Sequence, residues 1–254
     1  MHSEKLSVKE GLKLFGESWR MAKPRWWKIS WVTFLVFLPG VISLIPYVSL
    51  VGGILTLFLS AGMYRLWKNF SGTGELTLGI AYQTLRDTEL LKRMIPYAVY
   101  VAVLSGLFYG EIKLSQELHV ATGVQLASVF LLSLLSSYLT LFSVPLMALE
   151  GCRFFGSVKL SMEAFRKNWT VLLAYTCVML AAISVPTGFV LSIALLPEML
   201  TTLKLVFTAL ALLTLLLDAL IFVAIFPALS LMKYLLYQRI FHPDQRLPEI
   251  STPV

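Results

Sequence analysis

Apolar residues along this chain gather into long uncharged runs separated by short basic segments. No charged residue occurs between Lys28 and Arg65. Further runs cover Met94–Gly110, Val120–Leu149, Asn168–Pro197 and Leu205–Met232, the last interrupted once by Asp218. A bilayer core about 30 Å thick takes about 20 apolar residues per helix. The first run holds two crossings if a tight turn at Pro46-Tyr47 joins them. Met94–Gly110 is short, a mismatch that local bilayer thinning or snorkelling can meet. The pattern predicts an all-α polytopic protein with six transmembrane helices, at about 29–45, 47–67, 94–110, 124–149, 169–196 and 205–232.

The segments between the runs carry a different period. Val8, Leu12, Phe15, Trp19 and Ala22 recur at three- and four-residue steps, as do Val158, Met162, Phe165 and Trp169. A weaker version runs through Leu78, Ala81, Tyr82 and Leu85. This is the spacing of a helix with one apolar face. Each segment is basic and precedes a crossing, so each is expected to lie in the cytoplasmic headgroup region. Lys13-Leu14-x-x-Glu17-x-Trp19-Arg20 also matches Lys159-Leu160-x-x-Glu163-x-Phe165-Arg166 at a fixed offset. A single membrane domain over 1–254 is expected, built of three units at 1–67, 68–150 and 151–237. Each unit would be an interfacial helix and a transmembrane hairpin, with a flexible tail over 243–254.

Composition sharpens the class. Of 254 residues, 57% are apolar and 14% charged, against about 45–50% and about 25% in soluble domains. With a mean hydropathy of +0.79, so much apolar surface does not fit inside one soluble core. Nineteen of the 21 lysines and arginines fall on one side of the predicted topology, leaving Lys113 and Lys204 on the other. The positive-inside rule then puts both termini in the cytoplasm, against anionic lipid. The net charge of +7 is accounted for there, and no nucleic-acid recognition module is present. The first apolar run is too long for a cleavable signal and reads as a signal anchor.

Few residues point to chemistry. Asp218 lies about 21 Å along a helix from Lys204, near the bilayer midplane, where an aspartate costs about 2.5–3.5 kcal/mol. It is either a protonatable site on an ion path or a neutral carboxyl hydrogen-bonded to a neighbouring helix. Ser133, Ser136, Ser137 and Tyr138 lie at comparable depth. Pro39, Pro145, Pro186 and Pro227 fall inside crossings, where each removes a backbone hydrogen bond and kinks its helix. Gly106-x-x-x-Gly110 and Ser133-x-x-x-Ser137 fit close helix approach.

Trp26 and Trp27 mark where the first helix enters the bilayer, and Trp67 and Trp169 are further aromatic anchors. The lipid-interface candidates are Lys13, Trp19, Arg20, Trp26, Trp27, Lys159, Arg166 and Trp169. No nucleophile elbow, phosphate loop, zinc helix or dinucleotide fingerprint occurs. Cys152, Cys177 and three histidines make neither a disulfide framework nor a metal spacing. No enzyme, cofactor or metal is expected.

Two stretches carry a resemblance. The first is Ala61-Gly62-Met63-Tyr64-Arg65-Leu66-Trp67 with Gly74-Glu75-Leu76 and Leu85-Arg86-Asp87. The second is Val144-Pro145-Leu146-Met147-Ala148-Leu149-Glu150, then Ser157-Val158-Lys159-Leu160-Ser161, closing on Asn168-Trp169. Together they resemble the YciC-like bacterial inner-membrane proteins and related uncharacterised six-helix families. The resemblance implies an integral protein of the bacterial inner membrane with a role in the envelope, and it supplies no catalytic residue. The expected function is a non-enzymatic, lipid-interacting or membrane-organising factor, with a protein partner or a second copy of the chain as further possible company. The alternative is a small transporter or channel built around Asp218.

Overall fold

In a computed structural model, residues 3–42, 49–117, 138–194 and 225–244 are described, together with Ser128, Leu131 and residues 134–136. The described residues are mostly helical, with no strand among them, so the chain is all-α. The helices are α1 (Val8–Ala22), α2 (Trp26–Ile42), α3 (Ser49–Thr73), α4 (Leu78–Gln83), α5 (Thr88–Glu117), α6 (Ser143–Leu149) and α7 (Phe154–Ala194), followed by α8 over 225–241. Single 3-10 turns, Lys23–Arg25 and Thr84–Arg86, follow α1 and α4. By length and composition, one stretch among the described residues, Thr88–Leu107, is long and apolar enough to cross a membrane. The expected turn at Pro46-Tyr47, the first part of the sixth crossing and the tail beyond residue 244 lie outside the described residues.

The chain divides into two compact units. One comprises Met1–Lys5, Leu35–Lys167 and Tyr237–Val254; the other comprises Leu6–Phe34 and Asn168–Leu236.

In the first unit α3 is the central element, packed on α4, α5 and α6. Its buried side, with Leu59, Met63, Leu66, Trp67 and Phe70, follows the helical period. Gly62 lets α4 approach at backbone distance. A Cβ there would lie 2.8 Å from Ala81 Cα and 2.9 Å from its carbonyl carbon, and nearer still to the oxygen. Past Thr73 the chain turns on Gly74, whose φ of 71° strains any residue with a Cβ.

Asp87 starts α5 by accepting the Leu90 N–H at 3.0 Å, which satisfies one of the donors a helix leaves free at its N-terminus. The sequence predicts a continuous crossing over 124–149, with a kink at Pro145. Instead, Leu141 and Phe142 form a turn and α6 begins at Ser143. Pro145 is the third residue of the new helix, where its missing N–H costs no intrahelical bond, so it does not kink one. The Phe142 N–H donates to Ser161 Oγ at 3.2 Å instead.

The unit closes on the two ends of the described chain. Glu4 N–H donates to Ile240 O at 2.8 Å, and Phe241 meets Phe142 edge-on at 5.7 Å. Lys167 Nζ donates to Ser3 O at 2.9 Å and to Glu163 Oε1 at 2.8 Å.

In the second unit α1 starts at a capping box. Ser7 Oγ accepts the Glu10 N–H at 3.3 Å, while Glu10 Oε2 accepts the Ser7 N–H at 2.7 Å. Its buried face is Gly11, Leu14, Ser18 and Ala22; of the Val8–Leu12–Phe15–Trp19–Ala22 stripe that hydrophobic periodicity selects, Ala22 alone is buried. Size explains the shift, because a Cβ on Gly11 would overlap the Val171 side chain. The stretch of α7 that belongs to the first unit makes the same choice, burying Ser157, Ser161 and Ala164 while Met162 stays exposed; in the second unit Asn168 is buried and Trp169 exposed. Asn168 leaves helical geometry (φ −121°, ψ 21°), and its Oδ1 accepts the Leu6 N–H at 2.7 Å, tying down the residue that precedes the α1 cap.

Hydroxyl residues within the helices mostly bond back to their own chain. Thr56 donates to Gly52 O at 2.8 Å, Ser105 to Val101 O at 2.9 Å and Thr176 to Leu172 O at 2.9 Å. Each hydroxyl thereby has an acceptor within its own apolar helix.

Candidate functional site

The first candidate surface is built from α1, its 3-10 turn and the start of α2. The residues on either side of the junction, Ala22, Lys23 and Trp26, are all in the right-handed helical region, so α1 passes into α2 without a loop. Val8, Leu12 and Trp19 are exposed on α1, one face round from the buried stripe. On α2 an aromatic ladder of Trp27, Trp31 and Phe34 occupies positions i, i+4 and i+7, which share a helix face. Its rings stand 5.8 and 5.9 Å apart, both edge-on, and Trp27 is 68% exposed. Trp19 and Trp26 meet across the 3-10 turn at 5.2 Å.

The cations of this surface are Lys13, Arg20, Lys23, Arg25 and Lys28, all exposed. Lys13 pairs loosely with Glu17 at 3.9 Å. The other four make no ion pair among the described residues, and no acidic residue occurs between Glu17 and Glu75 to pair with them. Lys159, Arg166 and Trp169 are exposed on α7. Lys13, Trp19, Arg20, Trp26 and Trp27 thus lie along one helical run, while Lys159, Arg166 and Trp169 belong to another.

The second candidate is a polar cluster at the α6–α7 turn in the first unit. Arg65 Nη2 donates to Asp87 Oδ2 at 2.7 Å, and its Nε donates to Ala148 O at 3.3 Å. The Leu90 N–H and then the Arg65 guanidinium hold the Asp87 carboxyl below the usual carboxylate range. Helix α6 ends at Leu149, and Gly151 takes a φ of 68°, letting the Cys152 N–H return to Leu146 O at 3.2 Å.

Glu150 Oε1 accepts from Tyr237 Oη at 2.7 Å and from His242 Nε2 at 3.0 Å. A carboxylate only accepts, so the Nε2 of His242 must carry the proton in this contact. Burial, and next the Glu150 charge, push the Cys152 thiol up from its ordinary range. That makes it a poor nucleophile. No group of three potential metal ligands occurs among the described residues.

Of the intramembrane candidates, Asp218 and Ser137 lie outside the described residues. Ser136 Oγ is 2.7 Å from Tyr100 Oη, a pair in which either hydroxyl can donate. Tyr138 packs its ring against Phe165 at 4.9 Å. The polar cluster is the part that sequence reasoning missed as a site, although the resemblance had quoted Arg65, Asp87 and Glu150. Their partners lie 22, 87 and 92 residues away along the chain, beyond any local pattern. No protein-family model matches the chain, and neither the curated proteins nor the solved structures contain a significant match.

Proposed function

We propose that this chain is a six-crossing integral protein of the bacterial cytoplasmic membrane, with both termini cytoplasmic and a basic, aromatic N-terminal surface set against anionic lipid. Its role is non-enzymatic: it organises or binds lipid in maintenance of the envelope, as the resemblance to YciC-like proteins implies. The observation that carries this reading is where apolar residues face. The apolar stretch Thr88–Leu107 is only 11% buried, whereas a helix of that hydropathy in a soluble core is buried. The exposed Trp27–Trp31–Phe34 ladder next to Arg20, Lys23, Arg25 and Lys28, which make no ion pair among the described residues, adds the chemistry of a headgroup layer. Aromatic rings favour that depth, and each nearby cation gains about 1 kcal/mol from an anionic surface.

The three-unit organisation is part of this reading. The offset that aligns Lys13 with Lys159 also aligns the buried Gly11, Ser18 and Ala22 with the buried Ser157, Ala164 and Asn168. Two helices that bury equivalent positions are what a repeat leaves behind.

Topology is tested with single cysteines in a Cys152→Ser, Cys177→Ser background. A membrane-impermeant maleimide should label Lys113→Cys in intact spheroplasts, and Lys159→Cys only after permeabilisation. Labelling of Lys159→Cys from outside refutes the orientation. Joint replacement of Lys23, Arg25 and Lys28 by glutamine should sensitise cells to envelope stress. Growth indistinguishable from the parent under that stress counts against the lipid-facing role.

A further inference from the structure

Arg93 is a half-buried cation that the polar cluster leaves uncommitted. Its guanidinium lies over Gly151, with Nη1 3.0 Å and Cζ 3.6 Å from where a Cβ would stand. Its charge reaches Asp87 and Cys152, yet among the described residues it makes no hydrogen bond and no ion pair. The two carboxylates nearby are already engaged. Asp87 is held by Arg65 and the Leu90 N–H, and Glu150 by Tyr237 and His242. Five N–H donors in a planar fork are therefore free on one side of a glycine turn.

Above this cation stands an apolar wall. Arg93, Tyr97 and Tyr100 follow one another at i, i+4 and i+7 along α5, which puts them on one face. The Tyr97 and Tyr100 rings stack at 6.3 Å, and both meet Phe154 at 5.9 and 6.0 Å. Phe155, 5.2 Å from Phe154, is 80% exposed. A guanidinium fork at the foot of an aromatic wall, with Tyr97 and Tyr100 half-buried, Phe154 buried and Phe155 open at its edge, matches an amphiphile with an anionic head. Arg93 also sits where the uncharged run of α5 begins, at the depth of lipid phosphates if α5 crosses the bilayer.

We propose that Arg93, with the Tyr97–Tyr100–Phe154–Phe155 wall, forms a discrete binding site for a phospholipid phosphate. The fork takes two phosphate oxygens and the rings cover the glycerol and the first acyl carbons. This site rests on the membrane reading above but not on the α1–α2 surface.

The test is native mass spectrometry of the full chain released from nanodiscs of mixed phosphatidylglycerol and phosphatidylcholine, beside bilayer flotation. Wild type should retain one phospholipid. Arg93→Gln should lower the retained fraction about tenfold, the scale of one charged hydrogen-bonded contact, and Phe155→Ala should lower it less. Arg86→Gln, an exposed cation off the site, should leave retention unchanged.

If Arg93→Gln does not fold by circular dichroism, Arg93→Lys carries the test, since it keeps the charge but loses the fork and should still weaken retention. Flotation with undiminished retention in the Arg93 variants overturns the site alone. Failure to float overturns the membrane reading with it. Wild type that holds no lipid but binds inorganic phosphate overturns the lipid as the source of the anion.

Discussion

Replacing Gly62 by alanine drives one methyl group into backbone. The new Cβ would stand 2.8 Å from Ala81 Cα and 2.9 Å from its carbonyl carbon, where carbon atoms in contact prefer about 3.5–4.0 Å. No side-chain rotation relieves this, because every overlapping atom belongs to the main chain of α4. The two helices must separate by about 1 Å, which opens space around the buried Ala61, Met63 and Leu66. Against that, alanine is the better helix former by about 0.8–1.0 kcal/mol.

Overpacking costs about 1–3 kcal/mol, and an overlap with three main-chain atoms sits at the upper end, so the overlap wins and the net loss is about 2 kcal/mol. At about 2–4 °C per kcal/mol for a chain of this size, the melting temperature should fall by about 4–8 °C. Thermal unfolding in detergent, followed by near-ultraviolet dichroism of the buried Trp67, measures it. Gly72→Ala supplies the control on the same helix, since nothing lies within 4 Å of its would-be Cβ. It should melt at or above wild type. A Gly62→Ala protein that melts with the control refutes the close approach of α3 and α4.

Three further outcomes follow from the polar cluster. The Asp87 carboxyl titrates below its unfolded value of about 3.9, so its contribution is present above that value and lost as pH falls through the folded pKa. Asp87→Asn should therefore flatten the acid limb of a stability–pH profile, and an unchanged limb refutes the pairing. Tyr237→Phe should cost about 1–2 kcal/mol in detergent unfolding, as a buried hydroxyl bonded to a carboxylate is lost. A double-mutant cycle with His242→Ala should show coupling, because both groups converge on Glu150 Oε1; strict additivity argues against it. In a Cys177→Ser background, Cys152 should react slowly with a thiol reagent at neutral pH, and Glu150→Gln should speed it by removing one cause of the raised pKa. Equal rates refute the role assigned to the Glu150 charge.

The all-α character was legible because uncharged runs and three-to-four spacings both report on helices. Side-chain size was not. On α1 hydropathy selects Val8, Leu12, Phe15, Trp19 and Ala22, but of these the helix buries Ala22 alone, alongside Leu14 and the small Gly11 and Ser18, which score as indifferent and matter because they are small. The break at Leu141–Phe142 sits in the middle of an uncharged run, so charge and hydropathy pass over it. Pro145 did mark the place, but the same residue signals a kink in mid-helix or a first turn, and only the position of Ser143 decides. Arg65, Asp87 and Glu150 were visible as residues in a resemblance. Their pairing depends on tertiary contacts that no local period encodes.

The bond from Glu4 to Ile240 and the seating of Glu150 on Tyr237 and His242 have a consequence for biosynthesis. Residues 237–242 leave the ribosome after every other described element has been made. Until then Glu4 lacks its carbonyl partner, Glu150 lacks both of its donors, and Phe142 lacks the ring it packs against. The earlier helices can form with many of their hydroxyls bonded to their own backbone, but the first unit closes only once residues 237–242 have been made. A chain stopped short of residue 237 would display an open polar seam, the kind of lesion that a protease can use to recognise a truncated molecule.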